Sequence, residues 1–140
     1  LPFAKITKDR GTEFDLDGNP IGTNLGNQGK RLFLAAEHTG TLWSTYEFQN
    51  EMLRGLKLGG GIQGIGKRQG DPGNTYRLPA FVIGNLMASY QVKILHKMRL
   101  TAQLNVLNVS DEKYFVGTNS GSFITVGAPR TFMGSLRIDY

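Results

Sequence analysis

The chain has 140 residues and a mass of 15.4 kDa, a common size for one domain. It has no cysteine, which excludes disulfide scaffolds, thiolate metal sites and cysteine nucleophiles. The formal net charge is +5, but the basic residues are scattered and form no stripe typical of nucleic-acid binding. Residues 78–92, the longest apolar stretch without charge, are too short to span a membrane as a helix. The chain begins at Leu1 without an initiator methionine or a secretory leader, and we expect it to be part of a longer protein.

Apolar and polar residues alternate with period two along much of the chain, which predicts β-strands. In chain order, the predicted strands cover residues 40–48, 56–63, 80–92, 98–106 and 132–140. The alternation is clearest in the fourth strand, whose apolar parity is Met98, Leu100, Ala102, Leu104 and Val106. The fifth repeats it with Phe132, Gly134, Leu136, Ile138 and Tyr140. The sequence therefore predicts an all-β fold.

The connections between these strands alternate in length. Residues 9–37, 67–77 and 111–128 form long, polar connections that contain glycine, whereas residues 49–54 and 93–97 form short ones. Short turns on one side and long loops on the other are typical of transmembrane β-barrels, and strands of about 10 residues cross the hydrocarbon. Asn108 and Asp111 are expected to turn the backbone out of the fourth strand through local hydrogen bonds.

The alternative is a soluble β-barrel or β-sandwich ligand-binding domain, in which the apolar faces would point inward. The outward faces of such a domain should then be strongly charged. Here the non-apolar parity consists mainly of Gly, Thr, Gln, Asn and Ser. This composition favours the wall of a water-filled lumen, so the membrane barrel is preferred.

A glycine-rich segment matches two nucleotide-binding patterns. Residues 59–64 fit G-x-G-x-x-G, and residues 61–67 fit G-x-x-x-x-G-K. A phosphate loop also needs a following Ser or Thr and a helix, but Arg68 stands at that position and Pro72 follows closely. We expect these glycines to let bulky neighbours pack against bare backbone.

Other chemical motifs are equally incomplete. Asp15, Asp17 and Asn19 resemble the first ligands of a calcium loop, but the glycine and glutamate that such a loop requires are missing. His38 and His96 lie far apart, and neither has a second ligand at metal spacing. No arrangement of serine, histidine and acid is present. We therefore expect no metal site, no catalytic residues and no enzymatic activity.

Five short segments, in this order, carry a family resemblance. They are Leu42-Trp43 with Tyr46; Arg68-Gln69-Gly70-Asp71 with Asn74-Thr75; Leu78-Pro79-Ala80-Phe81; Asn105-Val106-Leu107-Asn108-Val109-Ser110-Asp111-Glu112-Lys113-Tyr114; and Gly127-Ala128-Pro129-Arg130-Thr131. The ordered set, which covers about residues 37–140, resembles the C-terminal barrel portion of TonB-dependent siderophore receptors. The chain departs from the family at Glu37, where proline is frequent, and at Ser110, where phenylalanine is common.

The resemblance implies an antiparallel meander that forms the last five to six strands of a 22-stranded transmembrane β-barrel in the bacterial outer membrane. Residues 1–140 would be the C-terminal part of this barrel, with the stub of a sixth strand at residues 1–8. The plug domain and the TonB box would lie outside the chain. The face that carries Leu136 and Ile138 would meet lipid, and the remaining strands and the plug would complete the protein.

The resemblance further implies a receptor that imports a ferric siderophore with energy from the TonB complex, which would act through the N-terminal part. Iron would arrive as a chelate, so no cofactor and no nucleic-acid partner is expected. The chelate would be held by long loops through aromatic stacking, hydrogen bonds and cationic attraction. The candidate ligand-binding residues are Tyr114, Phe115 and Phe123 in the last long connection, with Arg68, Asn74 and Tyr76 in the preceding one.

Overall fold

The computed structural model describes residues 5–7, 11–14, 16–24, 26–95, 98–119 and 123–140. The strands in these ranges are β1 (Gly11–Phe14), β2 (Pro20–Asn24), β3 (Thr39–Glu47), β4 (Leu56–Ile65), β5 (Arg68–Gln69), β6 (Arg77–Leu78), β7 (Phe81–Leu95), β8 (Met98–Leu107), β9 (Phe115–Asn119), β10 (Phe123–Val126) and β11 (Thr131–Asp139), with a 3-10 turn at Glu51–Leu53. No helix in these ranges is long and apolar enough to cross a membrane.

The chain divides into two units. The hairpin unit consists of Leu1–His38, Gly66–Ala80 and Phe115–Val126. The sheet unit consists of Thr39–Ile65, Phe81–Tyr114 and Gly127–Tyr140.

The sheet unit is a five-stranded antiparallel sheet in the order β3-β4-β7-β8-β11, so each strand pairs with the sheet strand before it in sequence. This confirms the predicted antiparallel meander and the predicted position of every strand. The differences lie at the strand ends. Strand β7 continues to Leu95, beyond the predicted residue 92, because it keeps pairing with β8 across a register shift between Lys93 and Leu95.

The register places the alternate, mainly apolar positions of all five strands on the same face of the sheet. Tyr46, Leu58, Ala88, Leu104 and Gly134 are successive partners across it. Removing a large apolar side chain from water contributes about 1.5–3 kcal/mol. An exposed apolar face of this kind therefore requires an apolar partner.

The apolar face is not sealed inside a core, contrary to the alternative of a soluble β-domain. Leu104, Leu136 and Ile138 are 47%, 76% and 57% exposed, and Leu100 is half-buried. Among the side chains that the structure describes, the buried hydrophobic ones are Leu78, Phe81 and Ile83, and none of them lies on the apolar face. The apolar face is therefore exposed, as the interpretation of the sheet as a lipid-facing wall requires.

The glycines of the nucleotide-like motif lie next to a tryptophan on the polar face of the sheet, the face opposite the apolar one. Trp43 pairs in register with Gly61, and a Cβ atom at Gly59 would lie 3.1 Å from Trp43 Cζ2, Met87 Cε and Thr45 Cγ2. A larger residue at either glycine would displace this packing. The motif belongs to strand β4, as expected from bulky neighbours that pack on bare backbone.

The turn after β8 is held by side chains; Asn108 forms the local hydrogen bonds that the sequence predicts, whereas Asp111 bonds Arg130, 19 residues away. Asn108 is 1% exposed and has φ 51°, and its Nδ2 donates to the carbonyls of Glu112 (2.9 Å) and Ala128 (3.0 Å). Asp111 has φ 56°, and its Oδ1 accepts a 2.8 Å hydrogen bond from the Arg130 backbone N–H. These bonds tie the end of β8 to the start of β11.

The long connections, which the sequence interpretation treated as loops, contain short hairpins. Strands β1–β2, β5–β6 and β9–β10 form three two-stranded sheets within them. In the last of these, aromatic and β-branched residues lie on both sides of the sequence Ser-Gly-Ser, and this pattern favours a hairpin more strongly than the polar composition favours a loop. Of the predicted strand stub at residues 1–8, only residues 5–7 are described, and Lys5 forms an isolated bridge with Arg31. Asp15 and His96 lie outside the described residues.

Candidate ligand-binding site

A buried arginine joins two hairpins of the hairpin unit. Arg68 in β5 is 6% exposed, and its guanidinium donates hydrogen bonds to the backbone carbonyls of Val116 (2.6 Å) and Phe115 (2.7 Å) in β9. Desolvation by burial lowers the pKa of Arg68, but a guanidinium stays protonated in proteins. Hydrogen bonds that involve a charged group contribute about 1.5–3 kcal/mol, so this contact fixes β9 against β5.

Further contacts hold the same hairpins in register. Thr118 Oγ1 donates to the Gly70 carbonyl at 2.7 Å, and the Leu34 backbone N–H donates to the Gln69 carbonyl at 3.1 Å. A Cβ atom placed on Gly117 of β9 would lie 3.8 Å from both Leu34 methyl groups, so Leu34 lies beside this strand. Strand β9 is therefore fixed at both ends by residues that are distant in sequence.

The turn between β5 and β6 is built around Asp71. Its Oδ1 accepts hydrogen bonds from the backbone N–H groups of Thr75 (2.7 Å) and Tyr76 (3.4 Å). Desolvation would raise the pKa of Asp71, but the hydrogen bonds from Thr75 and Tyr76 act the other way, and the net pKa is lowered. The charged carboxylate thus stabilises this turn.

Asn74 completes the turn with a left-handed backbone (φ 57°). Its side-chain Oδ1 accepts from the Arg31 backbone N–H at 2.8 Å, and its Nδ2 donates to the Arg31 carbonyl at 3.0 Å. The amide therefore pairs with the Arg31 backbone as a neighbouring strand would. Arg31 also forms an ion pair with Glu37.

The candidate aromatic residues differ in their surroundings. Tyr76 lies over Gly70, where any side chain would collide with the phenol ring, and Phe115 is half-buried in β9. Tyr114 belongs to the sheet unit, where its ring stacks on Phe81 at a centroid distance of 4.4 Å. Phe123, in contrast, is 74% exposed.

Hairpin β9–β10 also presents apolar side chains that the sequence interpretation missed. Val116, Ile124 and Val126 are all exposed, as is Phe123. The run of aromatic and β-branched residues on both sides of the sequence Ser-Gly-Ser is the signal that identifies this hairpin. An exposed apolar surface on a structured hairpin is suited to contact with a ligand.

The structure thus brings Arg68, Asn74, Tyr76, Phe115 and Phe123 into one unit and places Tyr114 in the other. In the part of the chain that the structure describes, no group of three or more His, Asp or Glu residues could hold a metal ion. The arrangement offers a hydrogen-bonded scaffold and an exposed apolar surface.

Comparison with known proteins identifies the family. Residues 4–109 match the family described as TonB dependent receptor-like, beta-barrel. The chain belongs to this family. Membership in the TonB-dependent receptor family, together with the exposed apolar face of the sheet, places the chain in the bacterial outer membrane.

Individual relatives agree with this assignment. The Ferrioxamine B receptor of Salmonella typhimurium is 34% identical over 109 residues, which are 78% of this chain and 16% of that receptor. The ferric preacinetobactin receptor BauA of Acinetobacter baumannii matches 82% of this chain and 17% of its own, with 25% identity and a TM-score of 0.72. The siderophore receptor PiuA of the same organism matches 96% of this chain and 18% of its own, with 25% identity and a TM-score of 0.69. The chain thus spans about one sixth of the relatives it matches.

Proposed function

We propose that the protein containing this chain is an outer-membrane receptor that imports a ferric siderophore. The observation that carries the proposal is a sheet with one exposed apolar face and one polar face, joined in the chain to hairpins that present apolar side chains. The similarity to receptors for ferrioxamine B and ferric preacinetobactin supports a ferric chelate as the cargo. We propose transport and not catalysis, with iron as part of the substrate.

Closure of the barrel requires strands beyond this sheet. Strands β3 and β11 are the sheet edges, and each presents a row of backbone groups without a strand partner in the described sheet. Such groups cost several kcal/mol each in lipid. We propose that residues 1–140 are the C-terminal part of a 22-stranded barrel, as in outer-membrane transporters of this size. A plug and the N-terminal segment that contacts the TonB complex would then lie outside this chain.

We propose two kinds of contribution to chelate binding from the candidate residues. Phe123 is exposed and would contact the chelate directly, by stacking on an aromatic or apolar surface. The polar groups of Arg68 and Asn74 form hydrogen bonds with the backbone, so these residues would position the hairpins. Tyr76 and Phe115 would shape the same unit, and Tyr114 would support the start of its connection from the sheet.

Binding of ferric siderophores to cells that express the full-length receptor tests this proposal. With Phe123→Ala we expect about a tenfold higher Kd for the transported chelate, the loss of roughly 1.4 kcal/mol that an aromatic contact contributes. A panel of radiolabelled ferric chelates would identify the cargo. The amount of receptor in the outer membrane should stay unchanged.

Leu136→Ala is the matched control, because Leu136 is equally exposed but lies on the apolar face of the sheet. It should leave the Kd unaltered. Equal affinities for Phe123→Ala and the wild type would remove Phe123 from the site. A receptor that binds no ferric chelate of the panel would reject the proposed cargo.

A further inference from the structure

The charges on the polar face of the sheet are concentrated at the end that carries the two short turns. The charged residues there are Glu47, Lys57, Lys93, Arg99, Arg137 and Asp139. Further along the strands, the same face carries the uncharged row Thr45, Gly59, Met87, Asn105 and Met133. Four cations and two anions leave this end with two positive charges in excess.

Both anions are already engaged within the sheet. Glu47 and Lys57 are register partners, and the Lys57 Nζ atom lies 3.3 Å from Glu47 Oε2. Asp139 Oδ1 accepts two 2.8 Å contacts from Arg137, one from Nε and one from Nη2. The two excess charges therefore belong to Lys93 and Arg99.

Lys93 and Arg99, which we call the cationic corner, are direct partners across β7 and β8. Both side chains are exposed, and no salt bridge of the described residues involves either of them. Like charges directly opposite each other destabilise an antiparallel pair. Asp139 is the register neighbour of Arg99 on the other side, but Arg137 occupies its carboxylate.

We propose that the cationic corner binds the carboxylates of an acidic polypeptide segment inside the barrel. Two cationic residues whose Cα atoms are about 5 Å apart across a strand pair can both reach carboxylates of one extended chain. The next row offers Gln91 and Thr101, whose amide and hydroxyl groups can bond a peptide backbone.

The polar face determines the class of partner. Lipid meets the opposite face of the same strands, where Val92, Leu100 and Ile138 are register partners. A lipid headgroup would therefore approach the apolar face, whereas the cationic corner lies on the polar face. The inference rests on the barrel family and goes beyond the proposed cargo, since the charges of the cationic corner do not depend on which ligand the receptor imports.

Carbodiimide coupling tests the inference directly, because this reagent joins an amine to a carboxylate that is in contact with it. The full-length receptor is treated in isolated outer membranes, and the coupled peptides are identified by mass spectrometry. Lys57 and Glu47 provide an internal control, since their charged atoms are already in contact. We expect Lys93 to couple to an Asp or Glu outside residues 1–140, in a segment rich in acidic residues.

Two conservative variants sharpen the result. Lys93→Arg keeps the charge but removes the amine, so its coupling should disappear while the Lys57–Glu47 product remains. Arg99→Lys adds an amine and should give a second product with the same segment. If Lys93 stays uncoupled, or couples only within residues 1–140, while Lys57 and Glu47 react, the inference is wrong.

A photo-crosslinking residue in place of Thr101 gives an independent measurement that needs no coupling chemistry. Thr101 lies in the row next to the cationic corner on the same face. A crosslink to the acidic segment that captures Lys93 supports the inference. Crosslinks to lipid alone, or to a segment without acidic residues, overturn it.

Discussion

The sheet unit is held together by continuous backbone hydrogen bonds between long strands. Its side chains mainly determine which face is apolar and which is polar. In the hairpin unit the strands have only two to five residues, and side chains carry much of the connection between them. Arg68 and Asn74 bond the backbone of segments more than 40 residues away.

This difference separates two kinds of sensitivity to mutation. A ladder tolerates the replacement of most single side chains, provided that each face keeps its polarity. A set of short hairpins depends more on individual polar side chains, such as those of Arg68 and Asn74. The sheet is therefore suited to a wall, and the hairpins are suited to a surface that differs between related receptors.

The largest expected effect comes from placing a charge on the apolar face. Leu104 lies in the middle row of this face, between Ala88 and Gly134. An arginine at the bilayer midplane costs about 2–4 kcal/mol, so Leu104→Arg should lower the free energy of unfolding in lipid vesicles by this amount. A urea titration of the folded full-length receptor measures it.

Gln103→Arg is the matched control, since Gln103 is the neighbouring residue on the polar face. It should change the free energy of unfolding by about 1 kcal/mol or less, because Gln103 is half-buried and loses only one neutral hydrogen bond, from its Nε2 to Asn105 Oδ1 at 3.0 Å. Equal losses for both variants would mean that the two faces meet the same medium, which contradicts the orientation of the sheet.

A smaller, local effect is expected in the hairpin unit. Arg68→Met removes the donors to the carbonyls of Phe115 and Val116. Losing these two hydrogen bonds from a charged group should lower the free energy of local opening of β9 by about 2 kcal/mol. This corresponds to roughly thirtyfold faster hydrogen exchange in β9. Exchange in β7 and β8 should stay as in the wild type.

Arg137→Met provides the comparison, because the exposed ion pair that Arg137 forms with Asp139 contributes little. Exchange in β11 should therefore be unchanged in this variant. If Arg68→Met leaves the exchange of β9 unchanged, the hairpins are held by other contacts. If it accelerates exchange in β7 equally, the two units do not respond independently.

The sequence predicts the sheet well because the signals that specify it are local. Leu104 and Leu136 lie in clear period-two patterns, and their strands have the length that a membrane requires. The turn at Asn108 is also predicted correctly, since one partner of its side chain, Glu112, is only four residues away. Each of these features needs only a window of about ten residues.

The hairpin unit is less predictable because its contacts are distant in sequence. The charge of Arg68 favours a ligand contact, which remains a proposal. Its carbonyl partners lie 47 and 48 residues further along the chain, so no local pattern indicates its contact with β9. The same holds for Asn74 and Arg31, which are 43 residues apart. The exposure of Phe123 likewise depends on how β9 and β10 pair.

The smallest expected effect is the pH dependence of the β5–β6 turn. Hydrogen bonds from Thr75 and Tyr76 outweigh desolvation and lower the pKa of Asp71 below its usual value of 3.8. A carboxylate with a lowered pKa stabilises the folded turn above the unfolded pKa, and this contribution is lost as the pH falls through the folded pKa. Protection of the Thr75 amide, corrected for intrinsic exchange, should therefore be constant above about pH 5 and decrease as the pH falls below 3.8. Asp71→Asn keeps an acceptor oxygen without titrating, so its protection should not depend on pH; a wild type that behaves like this variant would show that the charge of Asp71 does not hold the turn.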